Sequence, residues 1–222
     1  MGGFIPLGDA SRRPVQMPVV TIFIIVANVF VFVQELLNGD AFVDRWSAIP
    51  AQITSGHHLI TLFTAMFMHA SWLHIIGNMV YLWAFSPEIE DAMGRVRYLI
   101  FYIVGGLVSM GAQVLASPSS TIPNLGASGA IAAVMGAFII TYPRDRIKSV
   151  LFIFVFFKTT FIPAALLIGI WFVIQLFSAG SVAQVQTGGV AYLAHIGGFL
   201  FGVITGRLWE DKSRLALQTN TE

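Results

Sequence analysis

Ser128 stands in the string Gly126-Ala-Ser-Gly129, at the head of an apolar run that continues to about Tyr142. A hydroxyl in such a run commonly bonds back to its own helix. Flanking glycines change that reading, because they let a second backbone or a substrate approach closely. The chemistry to expect is nucleophilic attack by the serine oxygen, and an alcohol needs a base, most often a neutral imidazole. His195 is the only histidine in the last two thirds of the chain, and it too sits in an apolar run. No acidic residue lies in an apolar core to orient it, so the pair would act as a dyad. His74 and Asn78 are spaced i, i+4 and share a helix face. With the Ser128 backbone N–H, their side chains could form an oxyanion site. Each feature also has a plain structural use: glycines pack, a lone histidine bonds a neighbouring helix, and a polar patch stabilises its own helix.

The elements that must hold these groups are hydrophobic. Of the 222 residues, 56% are hydrophobic and 10% charged, and the mean hydropathy is +0.79. A soluble domain carries about 25% charge, so composition points to an integral membrane protein. The net charge of +1, with no basic cluster among aromatics, argues against nucleic acid as a partner. There is no cysteine, which excludes disulfides, thiolate catalysis and cysteine-ligated metal. The first residues lack the pattern of a cleavable signal peptide.

Six spans follow from apolar runs near the ~20 residues a crossing helix needs: Val19 to Leu37, about Trp72 to Phe85, Tyr98 to Ala116, about Gly126 to Tyr142, Phe161 to Phe177, and Ala191 to Leu208. Residues 1–18 read as a polar cytoplasmic arm, 19–209 as the catalytic six-span domain, and 210–222 as a cytoplasmic tail. Within the domain, 38–71 is a long outer loop, its segment Phe42 to Ile53 suited to the membrane interface. Pro87 and the charged stretch after it end the second span, and Pro143 to Lys148 is a compact basic loop. Val150 to Phe157 is too short to cross and reads as a membrane-associated connection.

All Lys and Arg residues except Arg45 fall on the side of the termini, which makes that side cytoplasmic. The expected location is therefore an integral membrane protein of a bacterial-type inner membrane, its site opening to the outer side. The second, fourth and sixth spans then run in the same direction. His74, Asn78, Ser128 and His195 all lie near the starts of those spans, at matched depth, as groups sharing a water-accessible cavity would. His195, Gly198, Gly202 and Gly206 form one stripe on the sixth span, matched by small residues Gly129, Ala132, Ala133, Gly136 and Ala137 on the fourth. Close packing of those surfaces would carry the imidazole towards the serine.

Other chemistries fit less well. No His-Glu-x-x-His string is present, and His69 and His74 lie about 140° apart round a helix, so no metal site is expected. Paired intramembrane carboxylates are lacking, and no internal repeat suggests a transporter.

The strings Phe67-Met-His-Ala-Ser-Trp-Leu-His-Ile-Ile-Gly-Asn78, Glu90-Asp91-Ala-Met-Gly94, Gly126-Ala-Ser-Gly129 and Ala194-His-Ile-Gly-Gly-Phe-Leu-Phe-Gly202 resemble those of the rhomboid intramembrane serine proteases, in order, over roughly Leu59 to Trp209. The resemblance implies an all-α, six-transmembrane-helix rhomboid-like bundle that cleaves transmembrane segments of other proteins in the lipid bilayer, without cofactor or metal. It implies Ser128 as nucleophile, His195 as base, and His74 and Asn78 at the oxyanion. His69 and Glu90 take structural roles, beside the packing glycines Gly126, Gly129, Gly198 and Gly202. The chain departs from many members at Ile60-Thr61, where they carry Trp-Arg in the first outer loop. It departs again at Ala132, where some carry a tyrosine that stacks on the histidine. The alternatives are a non-catalytic rhomboid-like factor that binds spans and controls their trafficking, and, from a third class, a transporter.

Overall fold

The computed structural model describes residues 2–153, 156–182 and 191–218. It is mostly helical. A strand β1 (Gly2–Asp9) leads to α1 (Val19–Asn38), then to short helices α2 (Asp40–Trp46), α3 (Pro50–Thr54) and α4 (Thr61–Thr64) and a 3₁₀ turn at Ala65–Phe67. Two long helices follow, α5 (Trp72–Met93) and α6 (Arg95–Ala116), and then α7 (Ser128–Thr141). Strands β2 (Arg146–Ile153) and β3 (Phe156–Pro163) precede α8 (Ala164–Val182), α9 (Tyr192–Trp209) and a final turn of helix, α10 (Lys212–Leu215).

The core is built around α7. Every residue from Gly129 to Phe138 is buried, the pattern of a helix apolar on all sides, and α5, α6, α8 and α9 all pack on it. Among the described residues, α1 and α6 are long and apolar enough to cross a membrane. The apolar helices Ser128–Thr141 and Ala164–Phe177 are shorter. At about 1.5 Å per residue, α7 spans roughly 21 Å.

Several expectations change. The fold is not all-α: β1, β2 and β3 form an antiparallel sheet in which Phe4 pairs with Leu151 and Leu151 with Lys158. The arm 1–18 is therefore tied down at β1, and the basic loop and the connection after it belong largely to β2 and β3. The pairing of β1 with β2 joins segments some 140 residues apart and leaves no short-range periodicity to detect, whereas β2 and β3 are neighbours in sequence. Arg12 completes the junction through an ion pair with Asp145 at 2.5 Å and by lying over the Tyr142 ring. Pro163 closes β3 rather than opening α8. Finally, the tail docks back on the helices, with the Gln218 amide donating to the Glu88 carbonyl and to the Asp91 carboxylate, each at 3.1 Å.

The second span does not stop before Pro87. α5 continues to Met93 and ends at Gly94, whose φ of 79° suits a residue without a Cβ. Glu88, Glu90 and Asp91 are buried, and distant segments supply partners to the carboxylates of Glu90 and Asp91. The Glu90 carboxylate accepts the N–H groups of Val20 at 2.9 Å and Thr21 at 2.8 Å, and the Thr21 hydroxyl at 2.7 Å. These are first-turn donors of α1 with no partner inside their own helix, and Pro18 offers no side-chain cap. Asp91 accepts the Val15 N–H at 2.9 Å. A charge run that looks solvated in sequence is thus a buried capping device.

The segment 38–71 is ordered and serves the site. Ala48 and Asn124 exchange backbone hydrogen bonds at 3.0 and 2.8 Å, the Ala51 N–H reaches the Ser120 carbonyl at 3.0 Å, and the Gly126 N–H reaches Ala65 at 2.8 Å. These bonds fasten the chain leading into Ser128.

Candidate active site

Ser128 is the first residue of α7. Its N–H therefore lies among the initial donors that a helix leaves unpaired. Gly126, just before it, has a φ of +132°, which L side chains rarely adopt, and a Cβ there would sit 3.0 Å from both Cε1 and Nε2 of His74. Only glycine fits between these two polar residues. Facing it, His195 lies one turn into α9, with Nε2 2.6 Å from the Ser128 Oγ.

Glycines set that distance. A Cβ on Gly198 would overlap the Gly129 carbonyl oxygen, and one on Gly206 would come within 2.9 Å of the Ala137 Cα. At Gly202 it would meet the Ala133 carbonyl group. Backbone therefore touches backbone along the α7–α9 seam, the close approach that small residues permit. Gly129 also accommodates the buried Ser109 of α6, whose hydroxyl occupies the space of a Cβ at that position.

His74 enters from α5. Its backbone N–H is capped by the Ser71 hydroxyl at 3.2 Å, and its Nδ1 accepts the Ala70 N–H at 3.4 Å. An accepting Nδ1 puts the ring proton of the neutral imidazole on Nε2, one of the two ring atoms that face Gly126. Asn78, one turn further along α5, is buried, and its amide nitrogen makes no hydrogen bond among the described residues. His69 packs edge-on against His74, ring centroids 5.0 Å apart, while its backbone N–H is held by both Glu35 oxygens at 3.1 and 3.0 Å. Burial first, and then the neighbouring His74, lower its pKa to about 3. Ser128, His195, His74 and Gly126 thus meet at one place, with Asn78 and His69 alongside. Glu90 does not belong there, being sixteen residues from His74 on α5, about 24 Å along the helix.

Three residues on the site's margin escape a reading of the sequence. Gln175 of α8 places its Oε1 2.6 Å from His195 Nδ1. Trp171, one turn earlier on α8, lies 5.7 Å from the imidazole, ring centroid to centroid. Glu35, near the end of α1, braces His69. Gln175 is a lone amide in an apolar run, and no motif spacing relates it to a histidine beyond a loop. Its one visible signal is polarity inside a span.

Comparison with known proteins identifies relatives of the chain. The Rhomboid domain family matches residues 56–210. Rhomboid protein 1, mitochondrial, of Saccharomyces cerevisiae is 30% identical over 153 residues, 66% of this chain and 41% of its own length. Presenilin-associated rhomboid-like protein, mitochondrial, of Bos taurus is 30% identical over 187 residues, 81% of this chain and 46% of its own. Rhomboid protease GlpG of Salmonella choleraesuis is 30% identical over 127 residues, covering 57% and 45%. The chain spans less than half the length of these relatives.

The expected bacterial-type inner membrane is overturned by the same comparison, since the mitochondrial relatives match over longer stretches than the bacterial one. The error has a physical source. A Lys/Arg asymmetry sorts loops between two sides of a bilayer, but carries no information on which bilayer it is. The family match, by contrast, spans most of the chain and contains Ser128, His195 and His74, and by it the chain belongs to the rhomboid family.

Proposed function

We propose that the chain is an intramembrane serine endopeptidase whose six longer helices, α1 and α5 to α9, cross the bilayer, and which cleaves transmembrane segments of other proteins. The observation that carries this reading is the 2.6 Å approach of His195 Nε2 to Ser128 Oγ at the head of a buried helix. His195 takes the hydroxyl proton as Ser128 Oγ bonds to the scissile carbonyl carbon, then gives that proton to the leaving amine. The resulting acyl-serine is hydrolysed by water, activated by the same imidazole. The charge that develops on the carbonyl oxygen is met by the Ser128 N–H and by His74 Nε2–H, which lies beside Gly126. The amide of Asn78, a buried donor in want of an acceptor, is the further candidate; losing one such donor costs about 10²–10³ in rate. One relative is named a protease, which agrees with this reading.

The test is labelling by a fluorophosphonate probe, comparing the wild type with Ser128→Ala and His195→Ala. Labelling of the wild type alone is expected. Equal labelling of all three would overturn the reading and favour a non-catalytic, span-binding role.

A further inference from the structure

We infer that Gln175 is the positioning residue for His195, doing with a neutral amide what a carboxylate does in a three-membered serine site. The inference rests on the dyad proposed above and deepens it. To accept the Ser128 proton, His195 must keep the lone pair on Nε2 free, so the ring proton must sit on Nδ1. Oε1 of Gln175 lies 2.6 Å from that nitrogen and is an acceptor only. The Nδ1–H therefore donates to Oε1, and the alternative tautomer, with its proton on Nε2, would leave Oε1 facing a second lone pair. The same bond persists when the imidazole becomes cationic, so the amide holds the ring through both states.

Two independent facts favour a built arrangement over chance contact. First, Gln175 is 7% exposed, while its neighbours Ile174 and Leu176 are 53% and 46% exposed. An amide turned inward from a largely outward-facing apolar helix costs free energy unless it is paired, and His195 supplies the pairing. Second, Trp171 is i−4 from Gln175, on the same face of α8, and lies 5.7 Å from the same imidazole with its ring plane 39° away. One helical turn of α8 thus provides a polar anchor at Nδ1 and an aromatic wall beside the ring. Ala132, which stands where some rhomboid proteases carry a stacking tyrosine, offers no such wall from α7; here the ring is held from α8 instead.

The experiment compares Gln175→Met, which keeps length and loses the acceptor, with Gln175→Glu, which keeps an acceptor at the same reach. Fluorophosphonate labelling rates and kcat and KM for a transmembrane peptide are measured on purified full-length chain, with Ser128→Ala as blank. Gln175→Met is expected to lose about 10- to 100-fold in labelling rate and kcat with KM unchanged, the size of a hydrogen bond to a group that becomes charged. Gln175→Glu should recover most of that loss. Wild-type labelling that is already no better than Ser128→Ala would sink the dyad itself. A labelled wild type with Gln175→Met labelling equally fast overturns the positioning role alone. So does an equal fall in Met and Glu variants accompanied by a matching rise in KM, since that is the signature of disturbed packing.

Discussion

Substituting Gly198 by alanine tests whether backbone contact between α7 and α9 sets the serine–imidazole distance. At Gly198 the new methyl would overlap the Gly129 carbonyl oxygen, one residue from Ser128 and one turn from His195. Gly202→Ala meets an equally tight contact, with the Ala133 carbonyl group, but one turn further from Ser128 and His195. There the methyl would lie 2.8 Å from the Ala133 carbonyl carbon and 3.0 Å from its Cα, against 3.4 Å at the near edge of ordinary contact. The helices must then part by roughly 0.6 Å to clear the carbon and more to clear the oxygen, an overpacking that costs about 1–3 kcal/mol of stability. A gap of that size added to the 2.6 Å between Oγ and Nε2 weakens the hydrogen bond that begins proton transfer. A misplacement of ~1 Å costs about 10²-fold in rate. Labelling rate by a fluorophosphonate should therefore fall about 10²-fold in Gly198→Ala and less in Gly202→Ala, while both remain folded by denaturant titration. Gly169→Ala on α8, with nothing within 4 Å of the new methyl, is the control and should label at the wild-type rate. A folded Gly198→Ala that also labels at that rate would refute the claim that the glycine seam sets catalytic distance.

Further outcomes follow from residues away from the seam. Glu90→Ala removes the acceptor of three bonds from the first turn of α1 and should lower unfolding free energy by about 2–4 kcal/mol, measured by denaturant titration. The labelling rate per folded molecule should hold, because Glu90 lies far along α5 from His74. His69 is depressed from 6.5 to about 3 mainly by burial. Its neutral form is the folded one, so the unfolded chain takes up the extra proton, and stability falls as pH drops from 6.5 towards 3. Thermal melts should show His69→Phe losing less stability than the wild type over that window. Asp9 works in the opposite sense. Burial raises its pKa from 3.8 to about 7, the folded state holds the proton, and stability contributed at low pH is lost as pH rises from about 4 through 7. Asp9→Asn should match the wild type near pH 4 and exceed it at pH 8 in the same melts.

Much of the helical frame is legible in the residues themselves. Helix formation and apolar length are local properties, so the run from Val19 closes as α1 within a residue of its expected end, and the helix ending at Ala116 closes where expected. The glycine stripe of α9 is equally local, a periodicity carried by one helix, and it identifies the face that meets α7. The family strings pick out Ser128 and His195 for the same reason, being short and contiguous. What escapes is whatever depends on segments far apart in sequence. β1 pairs with β2 across some 140 residues, and its residues carry no mark of that pairing. Pro87 and the acids after it read as a helix stop, because the partners of Glu90 and Asp91 lie on α1, on the arm and on the tail. The group proposed to orient His195 is the sharpest case. With no acid in the spans, the sequence supports a bare dyad, and Gln175 is simply one polar residue in an apolar helix. Only the packing of α8 against α9 carries its amide oxygen to within 2.6 Å of Nδ1. The proposed nucleophile and base are matters of residue identity, whereas their distance and the contact at Nδ1 are set by how backbones pack, which no single segment encodes.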